Sequence, residues 1–230
     1  MRSGRDLADP RQKLTRGEKV GMDAIRLDEV RTTVVHPGDV LTGEIDVEEV
    51  AREIPSSYLV KGMFFVRLVE QLGADWSFVE GQLLQAPRGG RYVPFKDYPQ
   101  ADYMRLSVTL ARKLHPRQSV REASRRVARK DFDVFAASTF GKVVLAVIGD
   151  ARGALLKTPF VYGKMTAGDQ VVTGFELDPR TVRLEFRPHY GSWEYVLGQL
   201  EGIAGHYGRP PVITVSELPE RTLRFDIEHS

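Results

Sequence analysis

The side chains best placed by spacing to do chemistry in this sequence are arginines. Arg121, Arg125 and Arg129 recur at i, i+4 and i+8, with Arg126 and Lys130 on the neighbouring row. On a helix this makes one cationic stripe, a site for phosphate, another anion or an acidic partner, aided by the planar guanidinium fork. The bland reading weighs more: a solvated face paired with carboxylates such as Glu122 and Asp131. Nucleic acid is disfavoured, because no aromatics interleave with the arginines and the formal net charge is only +2.

Other chemistries are poorly served. There is no cysteine, which excludes disulfides, thiolate catalysis and Cys-based zinc or iron–sulfur sites. His36, His115, His189, His206 and His229 are scattered without His-x-x-x-His or His-Glu-x-x-His spacing, so no metal site is assigned. Neither a Gly-x-Ser-x-Gly elbow nor a Gly-x-x-x-x-Gly-Lys-Ser/Thr loop occurs. An enzyme would have to use dispersed groups such as His189 and Glu194. The expectation is therefore a protein that is not an enzyme.

A third constellation lies near the C-terminus. Gly198, Gly202 and Gly205 fall at i, i+4 and i+7, leaving one helix face almost bare. Three glycines cost that helix roughly 3 kcal/mol relative to alanine. Either close packing on the sheet or a flat ligand would offset this, and close packing weighs more. His189, Tyr190, Trp193, Tyr195 and Tyr207 surround the helix. If a pocket exists, it lies between the N-terminal helices and this one. Phe64, Tyr190 and Trp193 would line it, against the smooth face of Gly198 and Gly202.

The elements that must position these groups follow from period and caps. Arg31 to Val35 reads as a strand. Helices are predicted over Asp46 to Glu53, Tyr58 to Leu72, Trp76 to Leu84, Tyr98 to Leu114, and Ser119 to about Arg129 behind a Ser119…Glu122 capping box. Gly62 inside the second of these implies close approach by another backbone. Apolar faces continue over Phe132 to Ala137 and Gly141 to Ile148, and Ala154 to Tyr162 is a weaker helix opposed by Pro159. The period then switches to two. Val171, Thr173, Phe175 and Leu177 alternate, as do Val182, Leu184 and Phe186, and a second hairpin joins Val212–Ser216 to Leu223–Ile227. The fold class is α+β: an N-terminal helical layer packed on a C-terminal four-stranded antiparallel ββαββ unit.

The 42% apolar and 28% charged content is that of a globular protein. Residues 1 to 24 read as a flexible basic tail, with Met22 an alternative start, and residues 25 to 230 as one α+β domain. No apolar run is long enough to span a membrane, and no signal-type apolar region opens the chain. A cytoplasmic site is expected.

Several segments resemble a known family. Lys61-Gly-Met-Phe64, Phe135-Ala-Ala-Ser-Thr-Phe-Gly141 and Arg187-Pro-His-Tyr190 through Gly205 to Leu223-Arg-Phe-Asp-Ile227 look like a myxobacterial family of about this length, a domain of unknown function. More distantly, the order of elements is similar to the superfamily of haem–nitric-oxide-binding domains, vinyl-reductase-type domains and TRAPP vesicle-tethering subunits. That resemblance implies helices against a four-stranded antiparallel sheet, sometimes with an internal ligand pocket. Its haem branch carries Tyr-x-Ser-x-Arg and an axial His on a helix. The signature is absent here, and His115 sits at a helix end beside Pro116. No cofactor is therefore expected, haem included. The reading is a regulatory or signalling module binding a small molecule or protein partner, with a homodimer admitted. The alternative is a pocketless scaffold using its basic helix on acidic partners.

Overall fold

The computed structural model describes residues 30–208 and 210–229. The predicted tail over residues 1 to 24, with Met22, lies outside them. In chain order the elements are β1 (Arg31–Val35), α1 (Val47–Glu53), β2 (Leu59–Lys61), α2 (Gly62–Leu72), α3 (Trp76–Val79), β3 (Asp97–Pro99), α4 (Gln100–Leu114), α5 (Val120–Arg129), α6 (Asp131–Ala137), α7 (Thr139–Leu145), α8 (Ala151–Met165), β4 (Thr166–Ala167), β5 (Val171–Asp178), β6 (Thr181–Arg187), α9 (Trp193–Tyr207), β7 (Val212–Leu218) and β8 (Thr222–Glu228). The α+β class and the ββαββ unit are as expected. β1 adds a fifth strand, giving the antiparallel order β1-β7-β8-β6-β5. A small second sheet runs β3-β2-β4. Among the described residues no helix is long and apolar enough to cross a membrane.

Period-two alternation sets the sheet's faces. Val182, Leu184 and Phe186 on β6 stand opposite Ile227, Phe225 and Leu223 on β8, and all six are buried. Val196, Leu197 and Leu200 of α9 close over them. The outer face carries a charge ladder, Arg183–Asp226 at 2.6 Å and Arg224–Glu185 at 2.7 Å. On β5 the faces are not those the apolar residues suggest. Val172 and Gly174 oppose Phe186 and Leu184 and so face inward, while Val171 and Phe175 lie outward, about half exposed. Helix α8 is the reason. Pro159 packs where a Gly174 Cβ would stand, 3.3 Å from its Cγ.

Two helix ends differ from expectation for backbone reasons. α2 begins at Gly62 because Leu59–Lys61 are taken up as a strand between β3 and β4, and a Cβ at Gly62 would sit 2.2 Å from the Val93 carbonyl oxygen. The close approach inferred for Gly62 is real, but at the start of the helix. Pro159 does not end α8, which runs on to Met165 and is capped by Asp150 accepting from the Gly153 N–H at 2.6 Å. At α5 only half of the capping box forms. Ser119 Oγ accepts from Glu122 N–H at 3.2 Å, while the Glu122 carboxylate serves Leu41 N–H and two arginines.

Candidate functional site

Two faces of α9 define the middle of the molecule. One meets α5. A Cβ on Gly198 would lie 2.1 Å from the Arg125 carbonyl oxygen, and one on Gly202 would lie 2.5 Å from that of Arg129. The glycines exist for close packing, but the partner is a helix and not the sheet. Gly205 has nothing within 4 Å and is not required by packing. Gly198 and Gly202 therefore border no ligand space.

Buried ionic bonds tie the same contact. The Arg125 side chain is 0% exposed. Its Nε donates to Glu201 Oε2 at 2.9 Å, Nη2 to Glu201 Oε1, and Nη1 to Glu122 Oε2 at 3.2 Å and to the Asp39 carbonyl at 2.7 Å. Arg121 pairs with Glu194 at 2.6 Å, Arg126 with Glu122 at 2.7 Å, Arg129 with Glu201 at 2.7 Å and Lys130 with Asp133 at 3.3 Å. The cationic stripe is thus no single exposed surface. Its central arginine is a buried strut, and the carboxylates holding it come chiefly from α9.

The other face of α9 borders a chamber of about 120 Å³. Phe64 of α2, Phe132 and Phe135 of α6, Val144 of α7, Val161 and Met165 of α8, and Leu200 and Ile203 of α9 give it apolar walls. Of the residues expected to line a pocket, Phe64 does so. Tyr190 instead stands edge-on to Tyr58 at 5.2 Å, under the Arg221 guanidinium at 4.7 Å. Trp193 packs with the sheet's core, because it opens α9 on the strand side.

The sequence placed Asp131 beside the arginine stripe and Tyr195 among the aromatics around α9; the structure instead brings both into the chamber wall, and Asp131 pairs with none of the stripe cations. Asp131 is 2% exposed and accepts from four side chains. Tyr103 and Tyr195 hydroxyls reach its Oδ2 at 2.6 and 2.7 Å, Gln199 Nε2 at 3.0 Å, and Arg67 Nη2 its Oδ1 at 2.6 Å. Burial first, then the Asp131 charge, pushes both tyrosine pKa values well up, so they remain hydroxyls. Tyr195 and Gln199, four residues apart on an otherwise apolar helix face, were the available signal. Asp131 has no local signal.

His189, considered only as a dispersed acid–base group, lies on the loop after β6 and borders the chamber. Part of the residue reaches solvent, but its Nε2 does not; it makes no hydrogen bond of normal geometry, and only the Gly191 backbone lies close enough to favour its proton. Gln170 Nε2 donates to the Pro188 carbonyl at 3.0 Å and approaches His189 Nδ1 at 3.3 Å, which leaves the imidazole proton on Nε2. Burial lowers the His189 pKa to about 4, so the ring is neutral at pH 7. Gln199 Oε1 is a second unpartnered atom in the wall. Among the described residues no three His, Asp or Glu side chains converge on a metal position.

Solved structures share this fold. An H-NOX protein from S. oneidensis in the Fe(II)NO state superposes with a TM-score of 0.56 at 16% identity, covering 74% of this chain and 99% of that one. An unliganded Fe(II) H-NOX protein from K. algicida gives 0.55 at 17%, covering 74% and 96%. A third structure, from work on haem distortion in the H-NOX family, gives 0.55 at 16%, covering 74% and 92%. These likenesses correct one expectation. The sequence argued against any cofactor and set haem aside, whereas the fold it adopts is shared with H-NOX proteins studied for their haem. No curated protein matches the chain. The family profile described as "Protein of unknown function (DUF2378)" matches residues 54–229, and the chain belongs to that family.

Proposed function

We propose that the chain is a non-enzymatic sensor module that holds a small molecule in the chamber between α8 and α9, with haem the first candidate and His189 the residue that would hold it. One ring nitrogen carries this reading: His189 Nε2 is sealed from solvent, belongs to a residue of the chamber wall and makes no well-formed hydrogen bond, with only the Gly191 backbone weakly favouring its proton. A buried polar atom left unpaired costs about 1–3 kcal/mol. A ligand that engages it removes that cost.

Donor chemistry supports haem. Neutral imidazole is a common haem ligand, and burial keeps His189 neutral down to about pH 4. The aromatic and aliphatic walls suit a flat apolar body. Two features depart from the pattern the resemblance implies: His189 stands on a loop, not a helix, and Tyr-x-Ser-x-Arg is absent. Two local adjustments accompany such a ligand. The chamber must widen, since about 120 Å³ suits a group of benzene size while pockets for larger ligands run to roughly 300–1,000 Å³. The Gln170 amide must turn, so that its oxygen accepts from Nδ1–H and Nε2 is left free to ligate. Bound haem would supply an iron able to take a further small ligand. The module would work in the cytoplasm, alone or as a homodimer, passing the state of the chamber to a protein partner.

The test is the absorption spectrum and native mass of the purified chain, before and after haem addition, in wild type and His189→Ala. A Soret band that is lost or shifted in the variant is the expected result. An unchanged band would remove His189 from the role. A different co-purifying small molecule would keep the sensor and remove haem. A bare mass, with no spectral or thermal response to haem, would end the reading.

A further inference from the structure

A second concavity lies on the opposite side of α6 from the chamber. Leu114, Val127, Val134 and Ala137 give it an apolar surface, and Arg126, Arg129 and the exposed Lys130–Asp133 pair also line it. Leu114 is 45% exposed there, an apolar side chain facing water at the end of α4. The arginine charges here are only partly neutralised. Two carboxylates, Glu122 and Glu201, serve three guanidiniums, Arg125, Arg126 and Arg129, so one positive charge is in excess. Arg126 and Arg129 each donate only Nε inward, and among the described residues their Nη nitrogens have no hydrogen-bond partner. Those side chains are 38% and 39% exposed. Each is therefore a guanidinium fixed at one edge by a buried carboxylate, with its fork turned to solvent. His115, which also lines the groove, has its pKa lowered, by burial and then by the Arg126 charge, in keeping with positive potential there.

We propose that this groove docks an acidic, amphipathic segment of a partner protein, its carboxylates on the Arg126 and Arg129 forks and its apolar side chains on the Leu114–Val134 surface. Charge complementarity selects the occupant. The chain's own N-terminal stretch does not qualify, since Arg2 to Lys19 carries six cations against three carboxylates. A nucleic-acid strand fits less well, because no Phe, Tyr or Trp lines the groove to stack successive bases. The groove shares a connection with the chamber. Arg67 lines the groove and pairs with Asp131, whose other oxygen takes Tyr103, Tyr195 and Gln199 in the chamber wall. Docking itself does not depend on what fills the chamber.

The experiment is fluorescence anisotropy on the full chain, with a labelled short peptide that places glutamates on one helical face and leucines on the other. Saturable, salt-sensitive binding is expected, with no binding of the peptide in which lysines replace the glutamates. Arg126→Gln with Arg129→Gln should weaken binding about tenfold or more. Because both arginines support buried carboxylates, a second variant, Lys130→Glu with Leu114→Gln, touches only exposed groups and should weaken it similarly. Equal binding of the lysine peptide, affinity unmoved by both variants, or displacement by a single-stranded oligonucleotide at lower concentration would each overturn the proposal.

Discussion

Helix α9 has two neighbours and treats them oppositely. Against α5 it presents glycines, and the two backbones meet with no side-chain layer between them. Every side-chain donor and acceptor of the Arg125–Glu201 contact described above is engaged there. Against α8 it presents Tyr195, Gln199 and Ile203 across a chamber, where Gln199 Oε1 and, from the adjoining loop, His189 Nε2 are left unpartnered. Tight packing with satisfied polar groups marks a structural joint. Empty space with unsatisfied polar groups marks a place where something else belongs. The contrast on one helix sets the joint with α5 apart from the candidate site beside α8.

Five substitutions test that contrast. The largest effect is expected at the joint. Arg125→Ala leaves Glu201 and Glu122 short of a buried partner and should lower unfolding free energy by about 3–5 kcal/mol in chemical denaturation. A loss under about 1 kcal/mol would mean that Arg129 and Arg126 suffice.

On the chamber side, His189 links stability to pH. Its folded pKa of about 4 lies below the ordinary 6.5, so between those values the unfolded chain binds more protons. Stability is then full above about pH 6.5 and falls as pH drops toward 4, by about 1.4 kcal/mol per unit and on the order of 3 kcal/mol in all. His189→Gln should remove that part of the pH dependence. Parallel wild-type and variant curves would show the ring to be open to water.

The glycines give an intermediate effect with opposite signs along one helix. Gly198→Ala puts a methyl group into the α5 backbone and should destabilise by about 1–3 kcal/mol. Gly205→Ala, with nothing nearby, should stabilise by about 0.8–1 kcal/mol. The smallest change adds one methyl group to the chamber. Val144→Ile should stabilise by about 0.8 kcal/mol while weakening whatever binds there.

Much of the fold was legible because it is written locally. Period two marked β6 and β8, Ser119 marked the start of α5, and the spacing of Gly198 and Gly202 announced close approach. What approaches was not legible. A bare helix face says that something lies near, not whether it is sheet or helix. Arg125 read as surface for the same reason, since Glu201 is 76 residues away and only folding brings it in. The faces of β5 inverted because Pro159 of α8, not the strand's own pattern, decides which side is covered. The candidate site was harder still. Tyr190 and Trp193 were chosen by aromatic character, whereas Asp131 and His189 matter through burial and missing partners, which no spacing encodes. The haem expectation failed because it rested on a short signature, while the likeness lies in the arrangement of whole elements.

Pro159 has a further consequence, in the time domain. A proline in α8 leaves the Leu155 carbonyl without a donor from position 159, and the helix leans on β5, a strand paired on one side only. The opposite wall of the chamber, α9, is joined to α5 and lies over the middle of the sheet. Amide hydrogens of α8 and β5 should therefore exchange with solvent deuterium ahead of those of α9 and α5, and a bound ligand should slow the first pair while leaving the second unchanged.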